Sequence, residues 1–292
     1  VTLSPALRAR AEALGQSLPP LLAAAEHLAA TVTLGEHGRR RPGRGDDFWQ
    51  YRAASSGDAL RLIDWRRSAR SDQTFVQERE WQAAQSVVLW VDPAQSMDFA
   101  ADTRPPKSDR ARLLALALAV LLLRAGEQVG LAGHPLPARA GKGQMLRLVA
   151  AMAADLAASA QDYAVTLPQD FVRHGRAVFI SDFLGDLAGL ERSLAQATAS
   201  GVKGVLLQVL DPDEEAFPFD GRTVFVSMGG SLAHETKNAG DLRAGYLARL
   251  AERKARLAEL ARAAGWVYAT HPTGQPATGA LLWAYRALEG GW

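Results

Sequence analysis

Short apolar runs separated by longer amphipathic stretches dominate the chain from about residue 86 onward. Val87-Val88-Leu89-Trp90-Val91 is an unbroken apolar run, the pattern of a strand buried on both faces. Residues 108–125 predict a helix ended by Gly126, 128–132 a second strand, and 136–140 a short third one. A helix follows over 143–158, a strand over 177–180, a helix over 187–200 and a strand over 204–210. Residues 223–226 read as a short strand within a long connection. Residues 241–264 form a charged amphipathic helix with one solvated face and one buried stripe. A last strand over 266–269 and a helix over 279–288 close the chain. Strands alternating with helices imply crossover units and a mostly parallel sheet covered on both faces. The predicted fold class is α/β, in three layers.

The first third of the chain has a different texture. Ser4-Pro5 has a capping hydroxyl followed by proline at the first helical position, so a helix is expected to run to about Ser17. After Pro19-Pro20, a second short helix is expected over 20–30. The glycine- and arginine-rich stretch 35–47 is expected to break regular structure. Residues 48–90 then hold seven of the 21 aromatics, Phe48, Trp49, Tyr51, Trp65, Phe75, Trp81 and Trp90, which reads as a folded surface and not a basic tail. Three segments result: N-terminal helices over 1–33, a segment over 34–84 packing on the main domain, and the α/β domain over 85–292.

Composition narrows the functional classes. With 48% hydrophobic and 22% charged residues, the chain is globular with a sizeable core, which excludes disorder, collagen and coiled-coil arrays. The absence of cysteine excludes disulfides, thiolate zinc sites and cysteine nucleophiles. An oxidising compartment is not required, and a cytoplasmic location is expected. The longest uncharged apolar run, Leu113 to Leu123, would span about 16 Å as a helix at ~1.5 Å per residue, against a bilayer core of ~30 Å. No membrane span is expected, and the N-terminus matches neither a signal peptide nor a lipid anchor. The net charge of +2 is too small for a general polyanion binder. Five of the 33 basic residues are lysine, and the 28 arginines read as a compositional bias.

Candidate chemistry lies at the strand ends, because ligands of open parallel sheets bind beyond the carboxyl ends where strand order reverses. Asp92 follows the first strand of the domain, and Ser181-Asp182 follows the strand over 177–180. If those strands are neighbours, Asp92 and Asp182 face one crevice, which the Ser96 hydroxyl can also reach. Such an oxygen-rich site suits Mg²⁺ or Mn²⁺. The alternative is that acidic residues after strands cap the next turn through Asx-type bonds.

Asp92-Pro93-Ala94-Gln95-Ser96 resembles the Asp-x-Ser-x-Ser start of the metal-ion-dependent adhesion site of von Willebrand factor A domains. Upstream, Gly57-Asp58, Arg61, Ile63-Asp64-Trp65 and Ser68-Ala69-Arg70 resemble the hallmark of a bacterial family, domain of unknown function family 58. Met97, Lys107, the 127–131 block, Ser181-Asp182 and Asp211-Pro212 also fall where that family has matching residues. The resemblance runs from about residue 40 to the C-terminus. It implies a von Willebrand factor A-like (Rossmann-like) fold. It also implies a non-enzymatic adaptor, paired with a MoxR-type AAA+ ATPase in the assembly or regulation of other complexes. A metal site of Asp92, Ser96 and Asp182 would be degenerate: Ala94 replaces the first serine, and no clear threonine follows the 143–158 helix, Thr166 being nearest. In adhesion-type domains a partner's carboxylate can complete the ion's coordination.

Asp64, Trp65, Arg66, Arg67 and Arg70 form a candidate partner-docking block, since Trp and Arg dominate such sites. The competing reading packs Ile63 and Trp65 against the sheet and bonds Asp64 to a nearby arginine. Nucleic-acid binding is not expected, because residues 35–80 hold ten arginines against eight acids. The 38–45 stretch imitates a phosphate loop but lacks its Lys-Ser/Thr end, and Arg44-Gly45-Asp46 is a chance tripeptide. The six histidines show no metal spacing, and there is no Gly-x-Ser-x-Gly elbow. The contrasting function is a metal-dependent hydrolase or phosphotransferase using Asp92 and Asp182. Against it, phosphatases of similar topology place a second aspartate where Ala94 stands, and no lysine is expected at a strand end to neutralise a phosphate.

Overall fold

The computed structural model describes residues 22–32, 39–43, 47–55, 58–59, 63–71, 73–101, 104–158, 161–163, 171–230 and 232–289. The helix expected from Ser4 to Ser17 lies outside them. The chain divides into two compact units: Glu36–Gln85, and Val1–Gly35 together with Ser86–Trp292. The first described element is helix α1, residues 22–30.

The smaller unit is an antiparallel sheet of β1 (Arg39–Gly43), β2 (Asp47–Ala53) and β3 (Phe75–Ala83), with β3 in the centre. One helical turn, α2 (Trp65–Ser68), lies between β2 and β3 in sequence. Strand β1 corrects the expectation that residues 35–47 lack regular structure. Its register, Arg39 opposite Ala83 through Gly43 opposite Arg79, is set by the long central strand and not by its own composition. Pro42 is tolerated because an edge strand needs hydrogen bonds on one side only.

The larger unit is a mixed α/β fold around a six-stranded, mostly parallel sheet. Its elements run β4 (Ser86–Val91), α3 (Lys107–Arg124), β5 (Gln128–Leu131), β6 (Leu136–Arg139), α4 (Lys142–Ala158), β7 (Arg176–Ser181), α5 (Ala188–Ala199) and β8 (Lys203–Leu210). They continue with α6 (Pro212–Ala216), β9 (Thr223–Val226), β10 (Ala233–Thr236), α7 (Arg243–Ala263), β11 (Val267–Pro272) and α8 (Ala277–Glu289). Strand order is β11-β8-β7-β4-β5-β6, parallel except for β6. Gly133 takes φ 81° in the tight connection that turns β6 back on β5. At Gly204 a Cβ would lie 2.2 Å from the Ala177 carbonyl oxygen, so only glycine lets β8 pair this closely with β7.

Side chains alternate across the sheet with the strand period of two. Val87, Leu89, Val91, Val178, Ile180, Val205, Leu207 and Val209 join one buried cluster with residues of α1, α3, α4 and α8. Trp90, Ala177, Phe179 and Leu206 join a second cluster with residues of α5 and α7. Phe179 sits edge-on between Trp90 and Trp266, with ring centroids 5.6 and 5.1 Å away. The 223–226 segment is a strand, but it pairs with β10 in a separate hairpin that the apolar pattern did not reveal. Just after β9, Asp162 accepts from the Ser227 hydroxyl at 2.8 Å. Among the described residues no helix is long and apolar enough to cross a membrane.

Candidate functional site

The chain leaves β4 towards α3 and β5, and later returns through β7 on the other side of β4 before moving out to β8 and β11. Strand order therefore reverses at β4 and β7, the place where this architecture gathers ligand-binding loops. Asp92 and Asp182 stand at the carboxyl ends of these two strands, side by side as the sequence predicts.

Asp92 is only 4% exposed. One carboxylate oxygen accepts from the Ser181 hydroxyl at 2.5 Å, the other from the Ala94 N–H at 2.8 Å. The second bond is the Asx-type turn of the alternative sequence reading. Ser181 in turn accepts from the Phe183 N–H at 2.8 Å, which holds Phe183 at φ 49°, a conformation costly for a bulky residue. Burial, and then the neighbouring Asp182 charge, push the Asp92 carboxyl up to about 7.

Asp182 is equally buried and faces a cation absent from the expected site. Its outer oxygen receives the Lys107 ammonium at 2.8 Å, its other oxygen accepts from the Leu184 N–H, and its carbonyl accepts from Gln208. Lys107, the first residue of α3, is fully buried. Its ammonium also contacts Glu214 of α6 at 2.6 Å and stands 5.7 Å from the Phe99 ring centre. Burial alone would lower the Lys107 pKa, but Asp182 and Glu214 outweigh it and hold the ammonium above its usual range. Burial pushes Glu214 upward, against the pull of Lys107.

The far oxygen of Glu214 accepts from the Asp211 N–H at 2.9 Å, while Asp211 accepts from the Asp213 N–H, closing a capping box on α6. Arg104 bridges Asp211 at 3.1 Å and Asp213 at 2.7 Å. Asp182 after β7 and Glu214 of α6 thus meet at Lys107, and Asp211 after β8 meets Arg104.

Asp92, Ser96 and Asp182 do not fit a divalent ion as arranged. An ammonium already sits on Asp182, and both oxygens of Asp92 are engaged. The adjoining cavity, lined by Trp90, Asp92, Tyr163, Ser181 and Asp182 among others, has a volume of about 10 Å³, room for roughly one water. Among the described residues no three His, Cys, Asp or Glu side chains converge in a metal-holding arrangement. Ser96 is buried near this loop by a bond from its N–H to the Asp162 carbonyl, and its hydroxyl has no hydrogen-bond partner among the described residues. Thr166 lies outside the described residues; Tyr163 reaches the cavity instead.

Lys107, Glu214 and Arg104 were not expected at the site, and Lys107 supplies the positive group that the sequence reading found missing. A signal for it exists. A lysine at a helix N-terminus opposes the helix dipole, so Lys107, directly after Pro105-Pro106, calls for a carboxylate elsewhere in the chain.

The smaller unit holds the second candidate. Asp64 caps α2, accepting from the Arg67 N–H and the Tyr51 hydroxyl, each at 3.0 Å. These bonds, led by the Arg67 amide, hold its carboxyl below the usual range. Ile63 is half-buried and bridges Val76, but Trp65 is 62% exposed, which corrects the reading that packs it against the sheet. The helical turn rotates Trp65 away once Asp64 is used as its cap. The Arg67 guanidinium lies 4.2 Å over the Tyr51 ring and 5.4 Å from that of Phe75. Arg66, Arg67 and Arg70 line one cleft of about 540 Å³ with Tyr51, Asp64 and Phe75. Nearby, Asp58 of the Gly57-Asp58 pair binds Arg52 through two bonds of 2.7 and 2.6 Å.

Comparison with known proteins places these features. Residues 50–256 match the profile of a family described as protein of unknown function DUF58. Uncharacterized proteins of Mycobacterium bovis and Mycobacterium tuberculosis are 30% identical over 268 residues, covering 85% of this chain and 83% of each relative. Among solved structures, an aerotolerance-related membrane protein from Bacteroides fragilis is similar at 18% identity and a TM-score of 0.45, over 70% of this chain and 98% of that one. The conserved hypothetical protein BatB from Bacteroides thetaiotaomicron is similar at 15% identity and a TM-score of 0.39, over the same shares.

Proposed function

The chain belongs to the DUF58 family, and from that premise we propose that it is a non-catalytic adaptor with a von Willebrand factor A-like fold. It works in the cytoplasm with a MoxR-type AAA+ ATPase, in the assembly or regulation of other protein complexes. The block of Asp64, Trp65, Arg66, Arg67 and Arg70 is its docking surface.

One observation carries this reading: the charges at the switch point are paired with one another inside the fold, beside a cavity of only about 10 Å³. A catalytic site needs groups that meet the substrate, and substrates need clefts of several hundred Å³. The uncommitted charges lie instead on the docking block, where exposed Trp and Arg suit a protein partner.

The test is co-purification of the chain with a MoxR-type ATPase from the same genome, with Arg66→Ala/Arg67→Ala alongside. Capture of the ATPase by the unaltered chain and its loss in the double variant are expected. Failure of the unaltered chain to bind would overturn the adaptor role. The hydrolase reading keeps one point in its favour, since Lys107 provides a cation beside Asp92 and Asp182. Phosphate-ester turnover that vanished in Asp92→Asn would establish it. A divalent ion completed by a partner's carboxylate remains the metal-dependent form of the adaptor proposal. It predicts Mg²⁺- or Mn²⁺-dependent capture that Asp92→Asn abolishes.

A further inference from the structure

We infer that the arginine cleft of the smaller unit is a carboxylate-recognition site that takes a short acidic segment of a partner protein. The inference rests on the docking role proposed above and adds the chemistry of what docks.

Charge is the first argument. Three guanidinium groups, Arg66, Arg67 and Arg70, line one cleft of about 540 Å³, within the size range of ligand pockets. Asp64 lines it too, but its oxygens are taken by the Arg67 amide and the Tyr51 hydroxyl. Among the described residues, no carboxylate stands within ion-pairing distance of Arg66 or Arg70. Other surface arginines of this chain do find partners: Arg222 pairs with Glu235 at 2.6 Å, and Arg256 with Glu191 at 2.7 Å and Glu259 at 2.8 Å. Among the described residues the cleft thus holds three guanidinium groups against one carboxylate, an excess of positive charge.

Preorganisation is the second argument. Stacking on Tyr51, with Phe75 beside it, limits the rotamers of Arg67, so less side-chain freedom is lost when a ligand binds. A guanidinium fork presents two parallel N–H donors, which match a carboxylate. The exposed Trp65 ring at the start of α2 adds apolar contact area. A nucleic-acid strand is the less suitable occupant. A phosphate backbone needs a stripe of cations, whereas residues 35–80 carry eight acids among ten arginines.

The test uses the purified chain and two synthetic hexapeptides, one of alternating Asp and Glu and one of alternating Asn and Gln, both with blocked ends. Binding is followed by tryptophan fluorescence and calorimetry, with inorganic phosphate and a single-stranded hexanucleotide as further probes. The acidic peptide is expected to bind about tenfold or more tightly than the amide peptide and the oligonucleotide. Arg66→Ala/Arg70→Ala should weaken it by about tenfold at unchanged melting temperature, and adding Arg67→Ala should weaken it further. Equal binding of both peptides, an unaffected double variant, or tighter binding of the oligonucleotide overturns the inference. Phosphate binding as tightly as the peptide overturns it too, as a simple anion site. ATPase capture that survives in Arg66→Ala/Arg70→Ala sinks this site while leaving the adaptor role standing. Peptide selectivity without ATPase capture does the reverse.

Discussion

The chain carries two clusters of charge, one in each unit, and they are opposite in character. At the switch point of the larger unit, Lys107 is wholly buried between Asp182 and Glu214, and the half-buried Arg104 bridges Asp211 and Asp213. In the smaller unit, Arg66, Arg67 and Arg70 face an open cleft, where Asp64, the one lining carboxylate among the described residues, is hydrogen-bonded to the Arg67 amide and the Tyr51 hydroxyl. An ion pair 4 Å apart gains about 1 kcal/mol in water and about 4 kcal/mol at an effective dielectric of 20, so the buried cluster is the stronger one. Its strength is directed inward, tying the end of β7 to the starts of α3 and α6. The weaker, wetter cluster keeps its field available to a partner. In this protein a buried, paired charge marks architecture, and an exposed one marks the candidate for recognition.

The sharpest way to break this contrast is to remove the buried cation. Lys107→Met leaves Asp182 and Glu214 facing each other across a dry space, and breaking a buried pair from one side costs about 3–5 kcal/mol. For a chain of this size that is a fall in melting temperature of about 10 °C, at roughly 2–4 °C per kcal/mol. Asp182→Asn added to Lys107→Met should recover part of the loss, by removing one unpaired charge. A melting temperature unmoved by Lys107→Met would show that the cluster is not an internal brace.

The two clusters also differed in how far the sequence revealed them. The apolar runs of β4, β7 and β8 were legible because strands buried on both faces carry few polar residues to interrupt the pattern. The pairing of Asp92 and Asp182 followed from strand ends alone. Lys107 did not, since it meets Asp182 across 75 residues and Glu214 across 107, and local pattern carries no such distance. The sheet of the smaller unit was hidden for a related reason: β1 has a breaker's composition, and its register belongs to β3, nearly 40 residues later. At Trp65 the error was one of rank. Burial was read from hydrophobicity, but Asp64 starts a helical turn, and that turn leaves the ring in solvent.

A pH series tests the buried side more gently. Asp92 holds its proton in the fold up to about 7 but releases it near 3.8 when unfolded, so its contribution to stability falls as pH rises between those values. His271, buried and accepting from Arg110 at 3.1 Å, behaves oppositely. Burial and then Arg110 pull it down to about 4 from 6.5, so its contribution rises with pH over that interval. Each slope is about 1.4 kcal/mol per pH unit at most, and between pH 4.5 and 6 they oppose each other. The unaltered protein should therefore show a nearly flat urea midpoint over that range. Asp92→Asn should remove the main falling contribution and tilt the profile upward, by up to about 1–2 kcal/mol from pH 4.5 to 6. His271→Gln should leave only the falling one. Parallel profiles for all three proteins would show that neither group is held as described.

On the open side the expected effects on stability are small. Arg66→Ala and Arg70→Ala change exposed side chains that form no ion pair among the described residues, and each should shift stability by less than about 0.5 kcal/mol. A loss above about 2 kcal/mol would mean that these arginines brace the fold, and the contrast between the clusters would collapse.

Divalent ions give the smallest expected effect and the finest discrimination. A ligand at 100 times its dissociation constant stabilises by about 2.7 kcal/mol. With Lys107 seated on Asp182, Mg²⁺ or Mn²⁺ meets a resident positive charge and a cavity of about 10 Å³, so millimolar ion should raise the melting temperature by less than about 1 °C. Lys107→Ser sharpens the point, because it removes the ammonium and its stem while keeping Asp92, Asp182, Glu214 and the Ser96 hydroxyl, which has no partner among the described residues. That variant should start from a lower melting temperature and regain several degrees with Mn²⁺. A shift of the same size in the unaltered chain, lost in Asp92→Asn, would mean that the ion and not Lys107 is the working cation, and would move the recognition chemistry back to the switch point.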